Sequence, residues 1–418
     1  YVIICHCHNN TFFTRIFLCF IHLHVLYFYK KKQIDKMSDI LENEEPDKDT
    51  LSADEIDKIF NKHYSLLAET AVNLKKVYIT KLSVTKSLNI AVGLDNNNIE
   101  VFKVNNSSLS QICRLSGHSK TLTELVFSPN EDYLLYSMGH DEIKLWDTRT
   151  SGMCVQTYKD ENDTPFRPYD AMDVSCTGRV LCAGSQLVQE DAYLVFWDKR
   201  SSEPLGGYWN SHTDDITQVK FHKNKPEILA TGSIDGLLNV FNILEPTEDD
   251  ALTYSLNIEN SVEKISWLNE NKVGVITPSN DLQIWDISSG DMMKRYPRDK
   301  IARSIKRLRD DDCYLVDAYT SSEDKTVVLA GSYGGDGQVL RSVTESGKKL
   351  QPTTNFTKNK QIVRCSAYLD KNDLLITGGE SSLISVWNAE GQDSDTENDV
   401  SKKIKSSLKL QDVRHKPY

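Results

Sequence analysis

The chain has 418 residues, 39% hydrophobic and 26% charged, enough apolar content for one large core. With 49 Lys and Arg against 60 Asp and Glu the formal net charge is −11, which argues against a general nucleic-acid binder held by phosphate contacts. Cys113, Cys154, Cys176, Cys182, Cys313 and Cys365 show neither CxxC nor metal-ligand spacing, so no metal or cofactor is expected and a reducing intracellular compartment (nucleus, cytoplasm or both) fits best. The sequons at Asn106, Asn162 and Asn355 are then unused.

Residues 1–36 come first. Phe12 to Tyr29 is an apolar run broken by Thr14, Arg15, His22 and His24 and followed by Lys30-Lys31-Lys32. A hydrophobic membrane anchor is one reading. The favoured one is a translated leader ahead of Met37, because the stretch has the Phe, Ile, Tyr, Lys and Asn bias of AT-rich sequence, and no membrane association is expected. Cys5-His6-Cys7-His8 lies in the same stretch and lacks zinc-finger spacing. Residues 37–63 are acidic and poor in aromatics, which predicts partial disorder. Within them Ser52-Ala53-Asp54-Glu55 is a capping-box pattern before a helical face of Ile56, Ile59, Phe60 and His63. Tyr64 to Asn73 then reads as an extended strand.

Residues 64–390 repeat one phrase: Leu145-Trp146-Asp147, Phe196-Trp197-Asp198, Val240-Phe241-Asn242, Ile284-Trp285-Asp286 and Val386-Trp387-Asn388. Each follows an apolar run, a small-residue cluster and a polar turn, at a period of roughly 44 to 51 residues. Ile99 to Phe102 is a weaker copy, and Asp336-Gly337 to Ser342 another, with Ser342 where the aromatic should stand. That makes seven copies. Asp235-Gly236 and Asp336-Gly337 are tight-turn dipeptides between the second and third strands of their copies. Residues 391–418 are a charged tail, acidic over Gln392 to Asp399 and basic from Lys402, with Ser394 and Thr396 placed as acidophilic kinase targets.

The period and the Trp-Asp dipeptides resemble the WD40-repeat family, in which one repeat corresponds to one four-stranded blade. The resemblance implies an all-β fold, a seven-bladed WD40 β-propeller with flexible termini, whose last blade is completed by the strand from Tyr64. The centre of the chain is more specific. Gly178 to Ser185, Glu190 to Asp198, Ser211 to His222, Ser233 to Leu252 and Thr377 to Glu380 resemble the WD repeat-containing protein 89 family. That likeness covers residues 77–390, weakly from Arg303 to Thr354, and departs at Ser381-Ser382, where the family has an acidic turn. It implies an interaction propeller with no established activity, and it supplies no catalytic residues.

Family blades are often pinned by a tetrad of His, Ser or Thr, Asp and Trp. The resemblance points to His118 and Trp146 in one blade, where His140-Asp141 leaves the Asp position open. In another it points to His212, Ser233 and Asp235, where Phe241 lacks the indole N–H that would close the set. Trp209 and Trp267 read as packing. No phosphate loop is present, since Gly334-Gly335-Asp336-Gly337 lies in a turn, and Asp310-Asp311-Asp312 beside Arg307 and Arg309 reads as a solvated loop.

The function expected is therefore a non-catalytic scaffold for protein or peptide partners. The loop between Trp146 and Ala171, with Arg167-Pro168-Tyr169, and the turn Gln189-Glu190-Asp191 are its expected contact regions. The alternative is a substrate receptor of a cullin-type ubiquitin ligase. Trp146-Asp147-Thr148-Arg149 and Trp197-Asp198-Lys199-Arg200 are consecutive W-D-x-R motifs, through which Arg149 and Arg200 would dock the ligase adaptor.

Overall fold

Leu134–Gly139, Val180–Ser185, Ile228–Ser233 and Leu374–Gly379 are strands buried along almost their whole length, on both faces. A strand buried on both faces needs packing partners on each side. Small residues such as Gly184 and Gly232 let the next sheet approach, and a Cβ on either would meet Ile216 or Val262. Repetition of such strands therefore stacks sheet against sheet around an axis.

The computed structural model describes residues 47–73, 77–150, 152–160, 166–335 and 337–389. The expectations for residues 1–36, for Asp336 and for the tail 391–418 lie outside them. Seven four-stranded antiparallel sheets form the seven blades of a β-propeller. In each, strands a to d run outward from the axis, and the a strands of successive blades touch in a closed ring.

Blade 1 comprises Ile79–Val84, Asn89–Leu94, Ile99–Asn105 and Ser108–Leu115. Blade 2 comprises Leu122–Phe127, Leu134–Gly139, Ile143–Asp147 and Met153–Tyr158, and blade 3 Tyr169–Val174, Val180–Ser185, Leu194–Asp198 and Pro204–Tyr208. Blade 4 comprises Ile216–Phe221, Ile228–Ser233, Leu237–Asn242 and Leu252–Asn257, and blade 5 Lys264–Trp267, Lys272–Ile276, Leu282–Asp286 and Asp291–Tyr296. Blade 6 comprises Cys313–Thr320, Thr326–Ser332, Val339–Ser346 and Lys349–Asn355. Blade 7 takes Val363–Leu369, Leu374–Gly379 and Leu383–Ala389 from the end of the propeller and its d strand, Tyr64–Ala71, from the beginning, paired from Tyr64↔Ala389 to Ala71↔Leu383. The b–c and d–a loops share one face, here called the top; the a–b and c–d loops share the bottom.

The aromatic of each repeat packs against the preceding blade. Trp146 joins Ile99, Val101 and Leu115 of blade 1, Trp285 joins Ala230 and Leu238 of blade 4, and Trp387 joins Leu329 and Leu340 of blade 6. In every blade a register shift between strands c and d immediately precedes that position, as between Leu145 and Trp146 or Val240 and Phe241. In blade 6 the shift falls between Ser342 and Val343, and Val343 packs toward blade 5. The residue standing for the aromatic is thus Val343, which corrects the assignment of Ser342.

One further expectation is corrected, beneath the part of the acidic segment that the structure describes, Asp47 to Phe60, which is docked on blade 6. Arg307, read as part of a solvated loop, is buried beneath it. Asp47 Oδ2 accepts from Arg307 Nε at 2.6 Å and from Ser332 Oγ at 2.5 Å, while Asp49 accepts from Arg307 Nη1 at 3.0 Å and from both Nη atoms of Arg341 at 2.5 and 2.8 Å. Burial alone would raise the Asp49 carboxyl, but Arg341 and Arg307 hold it below the usual range. The helix Ala53–Ile59 follows, its capping box formed by Ser52 and Glu55, and Phe60 is buried against the Arg341 guanidinium, 5.1 Å from the ring centroid.

Charged side chains of the a strands meet near the axis. Lys220 of blade 4 lies 3.6 Å from Glu124 of blade 2, and Lys264 of blade 5 lies 2.9 Å from Asp317 of blade 6. Asp173 of blade 3 accepts from the Phe221 N–H at 2.8 Å, and burial raises its carboxyl to about 6 even with Lys220 nearby.

Candidate functional site

Polar residues at the top of blade 4 are locked together. His212 Nδ1–H donates to Asp235 at 3.0 Å, which leaves Nε2 to accept from the Thr231 hydroxyl at 2.8 Å and the Asn239 amide at 3.4 Å. Thr231, on strand b, is therefore the hydroxyl of the set. Ser233 is not: its Oγ donates to Asp214 O at 3.0 Å and accepts from Asp235 N at 3.1 Å, so it braces the turn instead. Asp235 also accepts from Thr213 N and Leu237 N, and these bonds with His212 hold its carboxyl low against the opposing effect of burial.

In blade 2 the Ser137 hydroxyl accepts from Trp146 Nε1 at 2.7 Å and bonds His118 Nε2 at 2.6 Å. Asp141 turns to Ser119 at 3.1 Å, and His118 Nδ1 and Asp141 Oδ1 stay buried without hydrogen-bond partners. Burial pushes the His118 imidazole down to about 4. Trp387 of blade 7 donates to Thr377 at 3.0 Å. In blade 3 Ala183 takes the hydroxyl position, and Trp197 instead meets Tyr169 edge-on at 5.9 Å. These groups tie strands to one another and face away from solvent, so they offer no reaction centre.

The top of blade 3 is different. A groove of about 370 Å³ is lined by Asp160, Arg167 and Tyr169 on one side and by Ser185 and Tyr193, at the two ends of the b–c loop, on the other. Strand d contributes Gly206 and Gly207 to it, two positions without side chains. Tyr193, Val195 and Trp209 supply apolar surface, and Asp160 and Arg167 supply charge. Arg167 is buried with its guanidinium 4.1 Å from the Tyr193 ring centroid, and Trp209 meets that ring at 6.5 Å in a T-shaped contact.

Trp209 is 52% exposed and Phe166, next to Arg167 in the chain, 48%. The reading of Trp209 as packing is thus corrected, whereas Trp267 is buried and donates to Lys220 O. Glu248 braces the backbone at this point: it accepts the main-chain N–H groups of Trp209 and Asn210 at 2.9 Å each, and the Ser211 hydroxyl as well. Of the two contact regions named from sequence, the first lines this groove through Asp160, Arg167 and Tyr169, and the turn Gln189-Glu190-Asp191 belongs to the b–c loop whose ends, Ser185 and Tyr193, line it. Gln189 and Glu190 form its b–c loop tip with φ of 55° and 74°, a left-handed pair that projects both side chains into solvent. Sequence reasoning missed Phe166 and Tyr193, which belong to no repeat position.

Arg149 and Arg200 occupy equivalent places after strand c of adjacent blades, on the bottom face. Their side chains are 61% and 74% exposed, yet each closes on the Asp of its own motif, Arg149 Nη2 to Asp147 at 2.7 Å and Arg200 Nη2 to Asp198 at 2.8 Å. Arg149 also lies 3.5 Å from the Tyr133 ring centroid. Among the described residues no His, Cys, Asp and Glu group could hold a metal ion, and no helix is long and apolar enough to cross a membrane.

The family pattern described as "WD domain, G-beta repeat" matches residues 109–147 and 204–242. Each match starts on strand d of one blade and ends with strand c of the next. These are WD40 repeats. The two matched WD40 repeats are those that carry His118 and His212, the histidines bonded to a strand-b hydroxyl. Among curated proteins the chain is 25% identical over 333 residues to a WD repeat-containing protein 89 homolog of Dictyostelium discoideum, covering 78% of this chain and 88% of that one. It is 28% identical to the WD repeat-containing protein GTS1 of Arabidopsis thaliana over 59% of this chain and 62% of that one. An uncharacterized WD repeat-containing protein of Schizosaccharomyces pombe is 26% identical over 59% of this chain and 76% of its own.

Proposed function

We propose that this WD40 propeller is a non-catalytic scaffold that holds a protein partner at the top of blade 3. The observation that carries this reading is the half-exposed indole of Trp209, on a backbone braced by Glu248, beside a groove with bare glycine backbone. A large exposed aromatic on a rigid frame is the usual anchor of an interface. The free cysteines fit an intracellular setting. Capture from cell extract with the wild-type chain and with Trp209→Ala as baits tests the reading. A partner set that loses members in the variant, with an unchanged circular-dichroism spectrum, is expected; identical sets would overturn it.

A second reading, substrate receptor of a cullin-type ligase, draws support from the matched placement of Arg149 and Arg200 on the bottom face. An adaptor would meet an Asp–Arg bracket there, not a free guanidinium. The two readings use opposite faces and are compatible.

A further inference from the structure

We propose that a pocket between blades 6 and 7, entered from the bottom face, binds a small uncharged polyol, an inositol or a single sugar ring. It lies apart from the blade 3 groove and does not depend on the scaffold reading. The pocket has a volume of about 260 Å³ and opens among the a–b and c–d loops of blade 6, beside Lys62 at the start of the outer strand of blade 7. Exposed Ser346 and buried Ser342 both line it, four residues apart on one strand, which gives a depth of about 13 Å. The register shows why a pocket forms here. The residue just before the c–d shift is Val101, Leu145, Phe196, Val240, Ile284 or Val386 in the other six blades, and Ser342 in blade 6. In blade 2 that position packs against Tyr169 and Trp197 of blade 3, so it faces the next blade. Blade 6 alone puts a hydroxyl there.

The lining selects the ligand. Its four charged side chains are all paired: Lys62 with Asp373 at 3.0 Å, Lys325 with Glu323 at 2.8 Å, and Glu345 with Lys294. An anion or a cation would have to break one of these pairs to find a counter-charge. An apolar ligand fails for the opposite reason. Thr354 pairs with Ser342 across strands c and d, so the two side chains share the face that lines the pocket. Thr354 is fully buried and its Oγ1 has no hydrogen-bond partner among the described residues. Hydrocarbon laid over it would strand that hydroxyl. Nearer the mouth the Thr344 and Thr353 hydroxyls bond each other at 2.6 Å, and Tyr64, Tyr319 and Val327 supply carbon surface. A polyol matches this wall, with hydroxyls that both donate and accept on a C–H skeleton that packs on the rings. The volume falls just below that of drug-sized sites, about 300 Å³ and upward, which limits the ligand to roughly one ring.

The test is isothermal titration of the full chain with glucose and myo-inositol as neutral probes, glucosamine and gluconate as charged ones, and cyclohexanol as a mostly apolar one. A neutral probe is expected to bind at one saturable site, with the charged probes and cyclohexanol at least about five-fold weaker. Ser342→Val, which installs a residue type that other blades carry, is expected to abolish that binding without lowering the thermal midpoint. Thr354→Val is expected to weaken it about five-fold, while Trp209→Ala leaves it unchanged. No saturable binding of either neutral probe, equal binding of a charged one or of cyclohexanol, or unchanged binding in Ser342→Val would overturn the proposal. Loss in Trp209→Ala would place the ligand on blade 3 and overturn it too. Should Ser342→Val melt lower than wild type, the Thr354→Val titration decides: weakened binding supports the site and unchanged binding removes it.

Discussion

Asp235 accepts from His212 Nδ1, and two backbone N–H groups depend on the same carboxylate. Asp235→Ala should therefore leave the buried His212 Nδ1 and two main-chain donors without their acceptor and cost about 1–3 kcal/mol, read as a lowered denaturation midpoint in urea. Asp173 acts in the opposite sense. Its carboxyl is raised from 3.8 to about 6 in the folded chain, so the folded state holds the proton more tightly than the unfolded one. Stability then falls as pH climbs between those values, and above about 6 the cost of the buried charge is fully present. Asp173→Asn keeps an acceptor for Phe221 N–H. It should stabilise the fold at pH 7.5 by on the order of 1–2 kcal/mol, read as a higher melting midpoint, with the difference vanishing below about pH 4. The choice of residue was only partly legible from sequence. Thr231 and Ser233 lie two apart on one strand and share a face, so alternation alone could not choose between them. Ser342 was preferred over Val343 because the turn before strand c is longer in blade 6, and spacing carried over from blade 4 lands one residue short.

The arm from Asp47 to Phe60 was legible as a capped helix and illegible as a docked one. Its partners, Arg307 and Arg341, lie 260 and 292 residues away along the chain, and no local pattern announces pairing at that distance. Both guanidiniums are buried, so the arm neutralises charge that blade 6 cannot satisfy alone. Removing one member of such a pair leaves an uncompensated buried ion. Asp49→Ala should cost on the order of 3 kcal/mol, measured by chemical denaturation, whereas Asp49→Leu combined with Arg341→Met should recover most of that loss. The groove loops were legible as contact regions because a long insertion between blades stands out against a regular period. The exposure of Trp209 was not, since the backbone there is braced by Glu248, 39 residues further on.

The ring as a whole was the most legible feature, because its period is written in the sequence seven times over and each unit buries its faces against the next. Arg149 and Arg200 lie on the face opposite the proposed partner site, which gives a direct test of the ligase reading. Arg149→Glu with Arg200→Glu should abolish co-purification of the cullin adaptor if these bottom-face brackets dock it. The same double variant should leave the β-sheet circular-dichroism signal unchanged. Retained adaptor in the double variant would assign both arginines to turn structure. The pairing of Tyr64 with Ala389 carries a consequence in time. The strand Tyr64–Ala71 waits for Leu383–Ala389, roughly 15–60 s at ordinary elongation rates. Throughout that interval blade 7 lacks its outer strand and Tyr64–Ala71 is an unmatched β-segment with hydrogen-bonding capacity to spare. Until synthesis reaches Leu383 that segment has no strand to pair with, and the finished latch is what ends the exposure.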